Sequence, residues 1–189
     1  NISLRLYLKF MSVEINYKKN LAKKNISNIV LFVDEKFTIT SIKKHISSTD
    51  FSYISDILKT KSLKKKILTF DLSSKKKIIL ISLDKNCSNS MAGNLGAKFY
   101  DKFKDFKQSE YNLNSESISS SLKNIVGYFL HGVKLKSYKF EKYKTKKIKK
   151  NISIIVTGKN KPSSKDQLKF KAIEEGTFYT RDLVSEPGN

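Results

Sequence analysis

Hydrophobic and polar positions along this chain change period several times, and each change marks an element. "VEINY" (13–17) alternates weakly, as an outer strand with one covered face does, whereas "NIVLFV" (28–33) is an unbroken apolar, β-branched run suited to burial on both faces. Residues 38–61 carry a weaker signal, read as a short helix around 53–58. "KILTFDL" (66–72) and "KIILISL" (77–83) then form two strands separated by Ser73, Ser74 and lysines, a spacing that predicts a hairpin.

After Leu83 the apolar period moves from two to about 3.6. Ala92, Leu95, Gly96, Phe99, Phe103 and Phe106 share one helical face. "EYNL" (110–113) returns to a strand, Asn114 and Ser115 are candidate helix caps, and Ile118, Leu122, Ile125, Val126, Phe129, Leu130 and Val133 predict an amphipathic helix. "NISIIVT" (151–157) is another buried strand, and 158–162 is a turn. Ser164 with Gln167 matches a capping box that opens a final helix through Leu168, Ala172, Tyr179 and Leu183. Pro187, Gly188 and Asn189 supply the residue types that stop a helix. Near-continuous buried strands alternating with amphipathic helices predict a three-layer α/β domain with a mixed sheet between helices.

Composition changes this picture little. The 189 residues suffice for one domain with a real core, and no apolar run approaches the roughly 18 residues of a membrane span. Cys87 is the only cysteine, which excludes an internal disulfide framework and fits a cytoplasmic location. The formal charge is +21, and of 38 basic side chains only Arg5 and Arg181 are arginine, leaving 36 lysines. Lysine in that excess gives a self-repelling, soluble surface with or without an anionic partner. Met11 directly precedes the first alternating segment, so residues 1–10 read as an upstream extension.

Catalytic constellations do not emerge. His45 and His131 have no second ligand at metal-binding spacing and read as surface or cap positions. Cys87 lacks a local histidine or glycine-rich elbow, and Asp84, Glu174 and Glu175 read as surface carboxylates. "MAGNLG" (91–96) offers two glycines at a helix start without a Walker or dinucleotide pattern, so Gly96 reads as a close-packing residue. Residues 134–150 differ: nine lysines and one glutamate are interleaved with Tyr138, Phe140 and Tyr143. Lysines that neutralise phosphates beside stacking rings suit weak, sequence-independent nucleic-acid contact through Lys139, Lys142, Lys144, Lys146 and Lys147. A solvated connector whose aromatics turn inward fits the same pattern.

Two stretches together resemble the N-terminal domain of the leucyl aminopeptidase (cytosol aminopeptidase) family: "GYFLHGVKLKSYKFEKYKTKK" (127–147) and "AIEEGTFYTRDLVSEPGN" (172–189), in the family's order and with its spacing. The chain departs from the family's pattern at Ser82, Leu83 and Asp84, where Gly-Leu-Gly is common, and at Thr180 and Ser185. The resemblance covers residues 11–189 and implies a macro-domain-like fold for 11–160. It also implies that 161–189 form a linker helix, with Arg181, Asp182, Pro187 and Asn189 as structural residues of a domain junction. It further implies a parent enzyme that removes N-terminal amino acids from peptides, cytoplasmic and usually hexameric, with two divalent ions (Mn or Zn). Those ions and the catalytic side chains would belong to a C-terminal domain, leaving no catalytic or metal residue in this chain. Two other readings stay open: a basic nucleic-acid-binding module and a free-standing macro-like ligand-binding domain.

Overall fold

The computed structural model describes residues 13–19, 28–106, 109–140, 143 and 151–186. Among the described residues six strands build one sheet: β1 (Val13–Tyr17), β2 (Asn28–Asp34), β3 (Ile67–Asp71), β4 (Lys77–Leu83), β5 (Glu110–Asn114) and β6 (Ile152–Thr157), in the order β1-β6-β5-β2-β4-β3. Every neighbouring pair is parallel except β3 and β4, which form the expected hairpin. The unbroken apolar run of β2 lies between β4 and β5, where both faces are covered, and the alternating β1 forms one margin.

Strand parity sorts the core into two layers, because successive side chains point to opposite faces. Val30 and Phe32 of β2 join Ile79 and Ile81 of β4 under helices α2 (Asn89–Phe103) and α3 (Ile125–Lys136). Leu31 and Val33 join Leu80, Leu68 and Phe70 under α1 (Ser48–Thr60), which contributes Ile54. A further helix, α4 (Ser164–Ser185), packs on α3. The result is a three-layer α/β domain with a mixed sheet. Among the described residues no helix is long and apolar enough to cross a membrane.

Three elements differ from their sequence reading for local reasons. Helix α1 is longer than 53–58, capped by Ser47, which accepts from the Asp50 amide. Only Ile54 is deeply buried, so its apolar stripe is faint. The helix read over 118–133 begins at Ile125, after two 3-10 turns at Ser115–Ser117 and Ser120–Leu122. Serine and asparagine side chains compete for backbone groups there: Ser117 Oγ donates to Asn114 O and accepts from Phe32 N, and Asn114 Oδ1 accepts from Glu116 N. Asn114 therefore caps a 3-10 turn, although Ile118 still reaches the core as its apolar character requires. Helix α2 stops at Phe103, short of Phe106.

Lysines close both margins of the sheet as the described residues build it. At β3, Lys102 Nζ donates to Ile67 O at 3.1 Å and Lys61 Nζ to Thr69 O at 3.4 Å. Beside β1, Lys134 Nζ donates to Val13 O, and Lys161 Nζ to Lys18 O at 3.1 Å. Burial pulls the Lys102 and Lys134 ammonium groups below the ordinary lysine range.

Two tyrosines tie this packing to pH. Tyr111 on β5 lies 5.3 Å from the Phe99 ring and 5.5 Å from that of Phe103, and burial pushes its phenol well above the ordinary value. Tyr17 is pushed up to about 12, by burial and then by the Glu174 carboxylate. A raised folded-state pKa contributes stability that is present below the unfolded value near 10 and is lost as pH climbs through the folded value. Buried lysines act with the opposite sign, so a paired comparison isolates the phenol. Tyr111→Phe should lose less stability than the parent between about pH 9 and about pH 12. Urea midpoints across that range check this, and parallel decline of the two proteins would contradict it.

Candidate functional site

The 22 residues of α4 are capped by Ser163, one residue before the cap position read from sequence. Ser163 Oγ accepts from Asp166 N and donates to Asp166 Oδ2, while Gln167 Nε2 donates to Pro162 O. Proline at 162 and a short carboxylate at 166 thus make the helix start that Ser164 and Gln167 had suggested.

One side of α4 holds to α3 through rings and polar groups. The Phe170 ring stands 5.1 Å from Tyr128 and 5.2 Å from His131. His131 Nδ1 lies 2.8 Å from Glu174 Oε1, with both side chains largely buried. Phe178 stacks on Tyr138 at 5.5 Å, and Tyr138 Oη donates to Asp182 Oδ1 at 2.8 Å. Arg181 Nη1 donates to Leu135 O in the last turn of α3 at 2.9 Å, and its guanidinium lies 5.4 Å from the centre of the Tyr138 ring. A cation on those terminal carbonyls complements the negative end of the helix dipole. Burial, with Glu186 nearby, pushes the Asp182 carboxyl above its ordinary value.

Elsewhere on α4 several large apolar side chains are uncovered among the described residues. Leu168 is 68% exposed, Tyr179 58%, Leu183 56% and Val184 82%, with Ile173 beside them. Leu168, Ala172, Tyr179 and Leu183 fall on one row at helical spacing. These are the residues that the sequence marks as the helix's apolar face, and the contact with α3 uses Glu174 and Phe178 instead.

The remaining candidates are placed as follows. Arg181 and Asp182 meet at Tyr138, between α3 and α4, whereas Pro187 and Asn189 lie outside the described residues. Lys139 is exposed, and Lys142, Lys144, Lys146 and Lys147 lie outside the described residues. Of the neighbouring basic segment, Lys134 is buried and Lys136 pairs with Asp101 at 3.1 Å. Tyr138 turns into the α4 seam, while Phe140 and the exposed Tyr143 meet edge to face at 5.8 Å. Asp84 pairs with Lys66 at the surface, as read.

Both histidines and Glu174 correct the sequence reading. Half-buried His45 lies 3.0 Å from Asn114 Nδ2, and His131 and Glu174 form an interior pair. The partners sit 69 and 43 positions apart in the chain, so no local spacing announces them. Cys87 is buried, and burial with the nearby Asp84 pushes its thiol up, the opposite of a poised nucleophile. Among the described residues no group of three or more His, Cys, Asp or Glu side chains could hold a metal ion.

The layer order and strand connectivity define a macro-domain-like α/β fold. A tomato leucine aminopeptidase mutant superposes with a TM-score of 0.69 at 14% identity, covering 95% of this chain and 39% of the aminopeptidase. The cytosol aminopeptidase of Coxiella burnetii gives 0.57 at 11% identity, covering 90% of this chain and 33% of its own. The macrodomain of Thermus aquaticus DarG gives 0.50 at 7% identity, covering 78% of this chain and 99% of that domain. This chain therefore spans about a third to two fifths of the aminopeptidases it resembles and nearly the whole of the macrodomain. No protein-family model matches the chain, and no curated protein sequence matches it.

Proposed function

We propose that this chain is the N-terminal, non-catalytic domain of a leucyl-aminopeptidase-like exopeptidase, serving assembly and access to a catalytic domain that follows it. The observation that carries the reading is the uncovered apolar row of α4, at the end of a domain that aligns with only part of two aminopeptidases. A helix draws most of its stability from packing its apolar face, and here that face is on the outside. In this reading residues 11–160 are the domain body and 161–189 the link, with Arg181 and Asp182 fixing the link against α3. The catalytic domain supplies two divalent ions, Mn or Zn, and the assembled protein is a cytoplasmic hexamer acting on peptide N-termini.

Hydrogen exchange tests this. In the isolated chain, amides of 168–184 should exchange much faster than those of 125–130, and they should become protected when the chain is extended by its genomic continuation. The extended protein, loaded with Mn²⁺ or Zn²⁺, should hydrolyse leucine p-nitroanilide. Equal, strong protection of both helices in the isolated chain would overturn the reading, as would an extension that leaves 168–184 unprotected. The near-complete coverage of the DarG macrodomain favours a second reading, a free-standing ligand-binding domain, which the first of those outcomes would support.

A further inference from the structure

Lysine is seldom buried without an ion pair, yet Lys134 is buried on α3, and Glu174, the carboxylate that acts on it most strongly, is held by His131 instead. Lys134 lines a cleft of about 460 Å³ between β1, α3 and α4. Ile15 of β1, Leu130 of α3 and Phe170 of α4 give the cleft apolar walls, with the exposed Leu168 at its rim. That volume, and a mostly apolar lining with a few polar groups, is typical of small-molecule sites, which run from roughly 300 to 1,000 Å³.

The surroundings favour the amine form of Lys134. Burial outweighs the attraction of Glu174, Glu14 and Glu175, so the ammonium lies below the ordinary lysine range. A lysine desolvated in an apolar pocket is the form of the side chain that attacks carbonyl carbon. Its Nζ donates to Val13 O, and a neutral amine keeps two N–H groups, so that bond can hold the nitrogen while the lone pair is available. Of the other titratable groups lining the cleft, Tyr17 is pushed up to about 12 and keeps its proton at neutral pH, and His131 is engaged with Glu174. Lys171, a second amine at the cleft, is exposed and pairs with Glu175 at 3.9 Å. Carboxylates at 174 and 175 disfavour an anionic ligand, whereas the apolar walls suit a hydrocarbon body.

We infer that Lys134 captures small uncharged aldehydes in this cleft as a reversible imine, a reactivity separate from the docking of α4. The nitrogen lone pair bonds to the aldehyde carbon and one nitrogen proton passes to the oxygen, giving a carbinolamine. The carbon–oxygen bond then breaks, the hydroxyl leaves with the second nitrogen proton as water, and the nitrogen closes the C=N bond. No oxidant, reductant or further reactant enters, and water reverses the step.

Benzaldehyde and formaldehyde are the probes, each applied to the full chain at neutral pH with cyanoborohydride, which reduces an imine to a stable amine. Peptide mass spectrometry at low conversion locates the label. Formaldehyde needs no cleft, so its yield at Lys134 relative to Lys102, another lysine lowered by burial, measures reactivity and access alone. With benzaldehyde that ratio should rise by roughly tenfold, since partial burial of a phenyl ring against apolar walls is worth about that factor. In guanidinium chloride, which abolishes the cleft, the two ratios should coincide. A benzaldehyde ratio no higher than that of formaldehyde in the folded protein would overturn the proposal, as would an absence of label at Lys134 with either aldehyde. Preferential benzaldehyde labelling of Lys171 would move the reaction to the surface and overturn it, and so would a preference for Lys134 that survives denaturation.

Discussion

Replacing Gly132 by alanine should cost this domain about 3 kcal/mol or more, at the upper end of overpacking penalties, and the same change at Gly96 should be comparable. Helices α2 and α3 cross in backbone contact. A Cβ built on Gly132 would stand 2.0 Å from Gly93 O, and one on Gly96 would stand 2.0 Å from Phe129 O and 2.9 Å from Val133 N. Those neighbours are main-chain atoms of packed helices, so relief requires the helices to separate and to open the aromatic layer beneath them. Gly176 on α4 provides the contrast, because nothing lies within 4 Å of a Cβ there. Alanine at 176 should be neutral or stabilise by up to about 1 kcal/mol through helix propensity. Urea denaturation of the three variants checks both halves, and a Gly132→Ala midpoint equal to the parent's would contradict this account of the crossing.

The second large effect should come from Phe99→Ala, at about 3 to 5 kcal/mol. Phe99 on α2 is fully buried and touches three rings: Phe103 at 4.7 Å, Tyr111 of β5 at 5.3 Å and Phe129 of α3 at 5.6 Å. Phe129 in turn meets Phe32 of β2 edge to face at 5.5 Å. The ring at 99 thus links both helices to the sheet, and truncation leaves a cavity with rigid walls. Against a total stability of about 5 to 15 kcal/mol, the loss would be visible as a large fall in urea midpoint. Phe106, half turned to solvent beyond the end of α2, should cost under about 1 kcal/mol when made alanine. Similar costs at 99 and 106 would mean that the aromatic layer is not the keystone described.

Strand positions were legible because burial on two faces leaves an uninterrupted apolar run, as in β2 and β4, and no other element produces that signature at this length. The order in which the strands pair was not, since long-range register depends on how α2 and α3 pack over the sheet. Serines between β5 and α3 misled for a different reason. Their apolar neighbours Ile118 and Leu122 keep helical spacing while the hydroxyls divert the backbone into 3-10 turns. At the candidate docking face the sequence marked the right side chains, Leu168, Tyr179 and Leu183, but periodicity alone does not say whether a stripe meets its own domain. The hold of α4 on α3 was illegible because it rests on His131 with Glu174 and Tyr138 with Asp182, pairs that only tertiary structure brings together.

The lysines at the two margins of the sheet bear on what this protein does in crowded solution. An exposed edge strand invites a seventh strand from another molecule, which is how fibrils and swapped assemblies start. Here a newcomer at β3 would find the carbonyls of Ile67 and Thr69 already bonded to ammonium groups, and at β1 it would find Val13 held by Lys134. To pair, it would have to displace a charge and bring other lysines of a +21 surface close to its own. Acylation that neutralised Lys61 and Lys102 would lower that barrier at β3, because the Ile67 and Thr69 carbonyls would lose their charged donors.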